Sequence, residues 1–274
     1  MTTPARSAGA SSSADDGGGF SDLPLGTGAG VSDSGPVEWS ARLVEVRVET
    51  PTVRTFCFER PERGFSYRPG QYLTVRLPGV ADSRGDSRTF TISSPPSSPD
   101  TVSITTRSGP SPFKQALFRA PTSTVFELWG PFGTFVRDPE RPAVFMAGGI
   151  GVTPFRSMIL EAASHRSRVP VALLYSNRTT EEIVFRSELE ETASRWSSLH
   201  LTECVTRPES QLGGWTGVVG RIDATLVRAQ TGTLDAPLYY VSGPPTMVQD
   251  LERILRQHLG VPSTEIRTEL FHGY

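Results

Sequence analysis

Two patterns of apolar residues divide the chain. From Val37 onward, apolar and polar positions alternate in short runs. Leu43, Val44, Val46 and Val48 form a β-type run broken at Thr50-Pro51, and Val53–Phe58 alternates cleanly. Gly70–Leu77 is a further strand ended by Pro78-Gly79. Thr89–Ser93 and Val102–Thr106 follow, and Val125–Trp129 closes the set before Gly130-Pro131-Phe132-Gly133. Short strands separated by turn residues predict a small antiparallel barrel or sandwich. One helix interrupts them: Ser111 is a credible N-cap, Pro112 suits the first helical position, and Phe113–Arg119 continues.

From Ala143 the pattern changes to strand–helix alternation. The apolar run Ala143–Met146 leads through Ala147-Gly148-Gly149-Ile150-Gly151-Val152-Thr153-Pro154 into a helical stretch, Phe155–Ala163. Val169–Tyr175 is a second strand, and Thr179 and Glu182 have the spacing of a capping box opening a second helix. Strands over Leu199–Val205 and Pro237–Val241, a helix over Thr246–His258 and a last strand over Glu265–Phe271 complete the series. Such alternation predicts a parallel sheet covered on both faces. The chain therefore divides into a tail (1–36), an antiparallel β domain (37–140) and an α/β domain (141–274), with the boundary near Asp138–Pro142. The tail is rich in Gly, Ser, Ala and Asp, cannot bury enough surface to offset its ordering entropy, and is expected to be disordered. Its Gly26–Gly30 run has no strand before it and no helix after it, so a nucleotide-loop reading is rejected.

Composition narrows the chemistry. A net charge of −2, from 27 basic and 29 acidic residues, gives no support to a nucleic-acid or anionic-membrane surface. Lys114 is the only lysine, which reads as compositional bias. Cys57 and Cys204 lie in alternating apolar runs and lack the spacing for a zinc site or an iron–sulfur cluster. His165, His200, His258 and His272 are scattered, with no metal-ligand spacing. No apolar run is long enough to span a membrane and no signal-peptide core is present, so the cytoplasm is the expected compartment.

In open parallel sheets ligands bind beyond the carboxyl ends of the strands. The Gly148–Thr153 turn, between a strand and a helix, has the arrangement that presents backbone N–H groups to a phosphate; a plain glycine-bearing turn is the alternative. Its G-G-x-G spacing is not the usual dinucleotide fingerprint. After the second strand, Ser176-Asn177-Arg178 offers a hydroxyl and a guanidinium, with no acid before Glu181. That favours a 2′-phosphate, hence NADPH over NADH, against a solvated Arg178 and a turn-forming Asn177. A third strand end carries Ser242-Gly243-Pro244-Pro245. In the β domain, Asp86–Pro95 places an arginine, an aromatic and hydroxyls on one strand, a set able to hold a phosphate and stack on a flat ring, although an ordinary strand with a flanking arginine looks the same.

Taken in order, these pieces resemble the ferredoxin–NADP reductase family of flavoproteins across residues 37–274. The matching segments are Arg88-Thr89-Phe90-Thr91, Gly109-Pro110-Ser111-Pro112, Gly148–Pro154, Ser242-Gly243-Pro244-Pro245-Thr246-Met247, and the carboxyl-terminal Phe271 and Tyr274. The resemblance implies a pyridine-nucleotide-dependent reductase that binds FAD on the barrel and NADPH or NADH on the α/β domain. Arg88 would pair with the FAD pyrophosphate, supported by the available N–H groups around Gly109 to Phe113, with Ser111 and Pro112 in the same cofactor-binding segment. Phe90 would pack against the isoalloxazine, with Thr89 beside it among the cofactor-binding residues, Thr91 would hydrogen-bond near flavin N5, and Thr106 would approach the ribityl or adenylate part. Gly148, Gly149, Gly151, Thr153, Ser176, Arg178, Gly243 and Pro244 would hold the nicotinamide nucleotide, and Ser242 would face its ring. Phe271 would cover the flavin with Tyr274 elsewhere along FAD, the opposite assignment remaining open. Two positions depart from the family: Phe90 stands for a tyrosine and Ser242 for a cysteine, which points to slower hydride transfer.

The implied chemistry is hydride transfer from nicotinamide C4 to flavin N5, then single-electron delivery, with Thr91, Ser242 and Phe271 at the reacting rings. With no cluster-binding cysteines, the expected acceptor is a separate ferredoxin, flavodoxin or small molecule, and the expected state a monomer. Arg42, Arg47, Arg54 and Arg76 could form a basic face for an acidic carrier or be ordinary solvated arginines. The competing readings are a free-flavin or ferric reductase on the same scaffold, a flavin-holding redox module that does not turn over NAD(P)H, and a nucleotide-binding module without flavin.

Overall fold

The computed structural model describes residues 35–61, 64–80, 82–207 and 215–271. The tail reading falls outside them except at Gly35 and Pro36, and so do His272, Gly273 and Tyr274.

The antiparallel half comprises β1 (Val37–Thr50), β2 (Val53–Glu59), β3 (Tyr72–Arg76), β4 (Ser87–Thr91), β5 (Thr101–Arg107) and β6 (Val125–Phe132), in the order β4-β3-β6-β1-β2-β5. The two ends of this sheet meet. Ile92, just beyond β4, bridges Ile104 of β5, and Ser93 N donates to Ser103 O at 2.8 Å, so the sheet closes into a barrel. β1 is longer than its apolar run predicts because it serves two partners. Val37–Arg42 pairs with β6 and Leu43–Thr50 with β2, with a bulge between Leu43 and Glu45 at the changeover. An extra residue in one strand bends and twists it, which allows that division. Phe56, Phe58, Leu73, Ile104 and Leu128 fill the interior, joined by Phe113 and Leu117 of α1 (Pro112–Arg119). As predicted, Ser111 caps α1, its Oγ accepting from Lys114 N at 3.2 Å.

The second half holds β7 (Ala143–Gly148), α2 (Thr153–Ser164), β8 (Val171–Asn177), α3 (Arg186–Arg195), β9 (Leu199–Val205), β10 (Val218–Val219), α4 (Ala224–Thr231), β11 (Leu238–Gly243), α5 (Pro245–Arg253) and β12 (Ile266–Leu270). Its sheet runs β10-β9-β8-β7-β11-β12 with every pair parallel. Chain order departs in one direction from β7 through β8 to β10 and in the other through β11 to β12. The switch point, where such sheets leave a crevice, thus lies between the carboxyl ends of β7 and β11. Both faces are covered: Phe145, Tyr175 and Tyr240 pack towards Phe155 and Ile159 of α2, and Val144, Leu174 and Val241 pack towards Val227 of α4 and Val248 of α5.

Three elements differ from expectation. The Thr179–Glu182 spacing forms no capping box; Thr180–Glu182 is a single 3-10 turn without a side-chain cap, and α3 starts only at Arg186. Between them Ile183, Val184 and Phe185 are buried, which pulls the chain inward and breaks the helix, with Phe185 at φ 61°. α4 has a readable signal in Asp223, whose carboxylate caps Leu226 N at 2.8 Å, but lies beyond an unpatterned stretch. β10 is too short to leave a period.

The halves share one core. Val53 of β2 and Phe135 of the connecting segment belong to the same cluster as Phe145, Phe155 and Tyr240. α2 makes the polar ties. Arg156, almost fully buried, donates from Nη1 to Ser93 O at 2.6 Å and grips Glu188 of α3 at 2.5 and 2.7 Å. Ser157 Oγ donates to Ser94 O at 2.6 Å, and Glu161 accepts from Ser97 N at 2.8 Å.

Candidate functional site

The barrel contributes β4 and the start of α1. Thr91 is buried and paired in register with Tyr72; Thr89 is exposed; Phe90 stacks on Phe113 with ring centroids 6.3 Å apart. Arg88 lies over the Phe113 ring at 5.3 Å, but its guanidinium is already engaged. One Nη meets both carboxylate oxygens of Asp82, the other donates to Ser87 O at 2.6 Å and to Arg84 O and Gly85 O at 3.3 Å, and Nε is buried without a partner. An N–H from Arg84 and the Arg88 guanidinium hold the Asp82 carboxyl below its usual range. Cationic groups gather around the amino terminus of α1: Arg84, Arg88 and Arg107 all act on Lys114. Thr106 is buried beside them on β5, its hydroxyl donating to Arg107 O at 3.4 Å.

The α/β half contributes the switch point. After Gly148 the chain makes a 3-10 turn, Gly149–Val152, and enters α2; Gly149 takes φ +52°. The neighbouring glycines are required by packing. A Cβ on Gly148 would lie 2.3 Å from Met247 Sδ, and one on Gly151 would lie 2.4 Å from Ser242 O. Gly243 presses its backbone on Gly148 in the same way, and Thr153 Oγ1 donates to Ile150 O at 3.1 Å to close the turn. The ends of β7 and β11 are thereby held backbone to backbone. Pro244 leads directly into α5 and accepts from Val248 N at 3.0 Å.

At the same level Ser242 is fully buried and its Oγ has no hydrogen-bond partner. Its register neighbour on β12 is Glu269, whose Oε2 is also enclosed and unpartnered. Burial pushes the Glu269 carboxyl up to about 8. Phe271 follows, its N–H donating to Gly243 O at 2.9 Å and its ring part-buried against the shared core. Tyr274 lies outside the described residues.

The third strand end differs from the sequence reading. Asn177 is the last residue of β8, buried rather than turn-forming, and neither its Oδ1 nor its Nδ2 has a partner. Ser176 is half-buried and Arg178 exposed beside it. Sequence reasoning missed Asp82, Lys114, Asn177 and Glu269. Only Glu269 left a signal, in the Glu269-Leu270-Phe271 pattern; Asp82 takes its meaning from Arg88 six residues later, Lys114 from the arginines that act on it, and Asn177 from burial without a side-chain partner.

Residues 145–253 match the Oxidoreductase NAD-binding domain family. The chain is 31% identical over 240 residues to ferredoxin–NADP reductase B of Sorangium cellulosum, covering 85% of this chain and 97% of that one. It is 29% identical over 225 residues to the glycine betaine monooxygenase reductase subunit of Chromohalobacter salexigens, spanning 80% of this chain but only 60% of that protein. Among solved structures, a ferredoxin NADP+ reductase from Neisseria gonorrhoeae with bound FAD and NADP superposes with a TM-score of 0.70 at 20% identity, over 85% of this chain and 98% of the other, which shows the shared fold.

Proposed function

Because the chain belongs to the ferredoxin–NADP reductase family, we propose that the crevice at its β7–β11 switch point is where nicotinamide and flavin meet. The chain is an NAD(P)H-dependent, FAD-containing reductase that passes electrons to a partner. Bound FAD supplies the conversion between a two-electron donor and a one-electron acceptor.

One observation carries the assignment of the site. Ser242 Oγ and Glu269 Oε2 lie on adjacent strands at the switch point, buried and without partners. An unsatisfied buried polar group costs about 1–3 kcal/mol, and a polar ring entering the crevice would remove that penalty. In this reading Ser242 Oγ orients the nicotinamide amide, and Glu269, protonated near neutrality, holds a proton at its carboxyl oxygen. Phe271 shields the flavin face, and Thr91 offers its hydroxyl to the flavin edge. Arg156 keeps β4 and the Gly148–Thr153 turn in fixed relation by holding Ser93 O from α2. The residues therefore bind, orient and exclude water, which is the protein's share of such a reaction.

The finer choices are NADPH over NADH, supported by Arg178 and Ser176 beside the buried, unpartnered Asn177, and a soluble one-electron protein carrier as acceptor, supported by the reductase components among the relatives. Anaerobic mixing with NADPH and then NADH, watching the visible flavin band, tests the reading. Rapid bleaching by NADPH and slower bleaching by NADH is the expected result. A yellow protein that neither nucleotide bleaches would sink it.

A further inference from the structure

The end of the parallel sheet opposite the switch point carries a basic cavity for which electron transfer has no use. Two turns form it, one joining α2 to β8 and the other joining α3 to β9. They are fixed to each other. Trp196 Nε1 and Ser198 Oγ both donate to Ser167 O, at 2.7 and 3.2 Å, and Val171 N donates to Ser198 O at 2.8 Å. The cavity between them has a volume of ≈ 590 Å³, a size that suits a small molecule. Arg166 and Arg168 line it from the first turn, Arg195 and Ser197 from the second, and no acid is among its lining residues. The Trp196 indole is buried with its N–H engaged, which leaves little ring face for a ligand.

Local structure accounts for one of the three arginines. α2 and α3 both end at the cavity, and the negative ends of their dipoles favour cations in the last turn. Arg195 sits in the last turn of α3 and pairs with Glu191 at 2.7 Å. Arg166 and Arg168 lie past the end of α2, outside that turn, and their guanidinium groups have no partner among the described residues. Arg166 also takes φ 51°, just after the helix, where glycine is usual. Its N–H donates to Ala163 O at 2.9 Å and that of Ser167 to Ala162 O at 3.0 Å, which ends the helix. A side chain strains the backbone there and glycine would not, so the arginine contributes through its guanidinium.

We infer that this cavity binds a small multivalent oxyanion, with a polyphosphate chain as the chemistry that fits it. Three guanidinium groups on two fixed turns face one hollow, and each can give paired N–H donors to phosphate oxygens. Ser197 adds a hydroxyl with no partner among the described residues. Recognition is by charge and not by a base, because the buried Trp196 gives nothing to stack on. The 12 residues of α2, about 18 Å of helix, separate the cavity from the Gly148–Thr153 turn, so an anion here leaves the nucleotide crevice open. The inference does not depend on the reductase assignment.

The test is calorimetric titration of the full-length protein, as purified, with sodium tripolyphosphate. Saturating NADP+ is present so that phosphate sites of the crevice are filled. Wild type is compared with Arg166→Gly, Arg168→Gln and the double variant. Glycine suits the positive φ, so Arg166→Gly removes the charge and keeps the turn, and its thermal midpoint should equal or exceed that of wild type. The expected result is a single site in wild type whose affinity falls with added sodium chloride. Binding should be about tenfold weaker in each single variant and lost in the double variant, with flavin reduction by NADPH unchanged in all of them. ATP should bind no more tightly than tripolyphosphate. Binding that persists in the double variant overturns the inference, and so does a wild type that takes up no tripolyphosphate. Binding to wild type that disappears when NADP+ is added overturns it by placing the anion in the nucleotide crevice. Much tighter binding of ATP would overturn recognition by charge alone.

Discussion

Glu269 has a charge state that depends on the fold. In the unfolded chain its carboxyl titrates near 4.5, whereas burial raises it to about 8. Between those values the folded protein binds a proton that the unfolded chain releases, so rising pH favours unfolding, by up to ~1.4 kcal/mol per pH unit. Glu269→Gln removes this dependence. Urea unfolding of flavin-free protein should show wild type losing stability relative to the glutamine variant from about pH 4.5 to 8, by a few kcal/mol in total, and running parallel to it above that range. Parallel curves throughout would show that the carboxyl is solvated. At this scale the sequence exposed the residues that lie on one segment, such as Ser111 or the Gly148–Thr153 turn, and hid those whose meaning is a neighbour. Asp82, held by Arg88 six residues later, is one such residue.

Among the elements, α2 has two tasks that its sequence does not reveal. It receives the glycine turn at one end, and through Arg156 and Ser157 it holds the exit of β4. Arg156→Met leaves Glu188 unpaired and Ser93 O without its donor. A loss of about 2–3 kcal/mol in stability is expected, and hydrogen exchange should rise together at Ser93–Ser94 and at the Gly149–Val152 turn. Exchange rising at only one of them would mean that α2 does not couple the halves. The strands of both sheets, apart from the two-residue β10, were legible because alternation and apolar runs are imposed by burial on one face or two. The break before α3 was not, because the Thr179–Glu182 spacing is a local signal and the burial of Ile183–Phe185 overrides it.

For the whole molecule, the question is how an acceptor finds the reduced flavin. Three of the four arginines of the basic face that the sequence allowed are paired with acids in place, and the fourth is held by a backbone carbonyl. Arg42 pairs with Glu59 at 3.3 Å, Arg47 lies 3.7 Å from Glu45, Arg76 meets Asp86 and Glu127, and Arg54 donates to Phe118 O at 2.7 Å. With a net charge of −2, little field remains to steer an acidic carrier. The rate of acceptor reduction should therefore vary less than about tenfold between about 50 and 500 mM salt; a steeper fall would point to a steering patch elsewhere. The common core bears on inheritance as well. Val53 from the barrel and Phe135 from the connecting segment are packed among side chains of the α/β half. A recombinant that joins residues 37–140 of this chain to the α/β half of a relative inherits one side of a fitted seam and a stranger's other side. Grafts that carry complementary residues opposite Val53 and Phe135 should fold, and those that ignore them should leave a void, so the two halves are expected to descend and to be exchanged as a single unit.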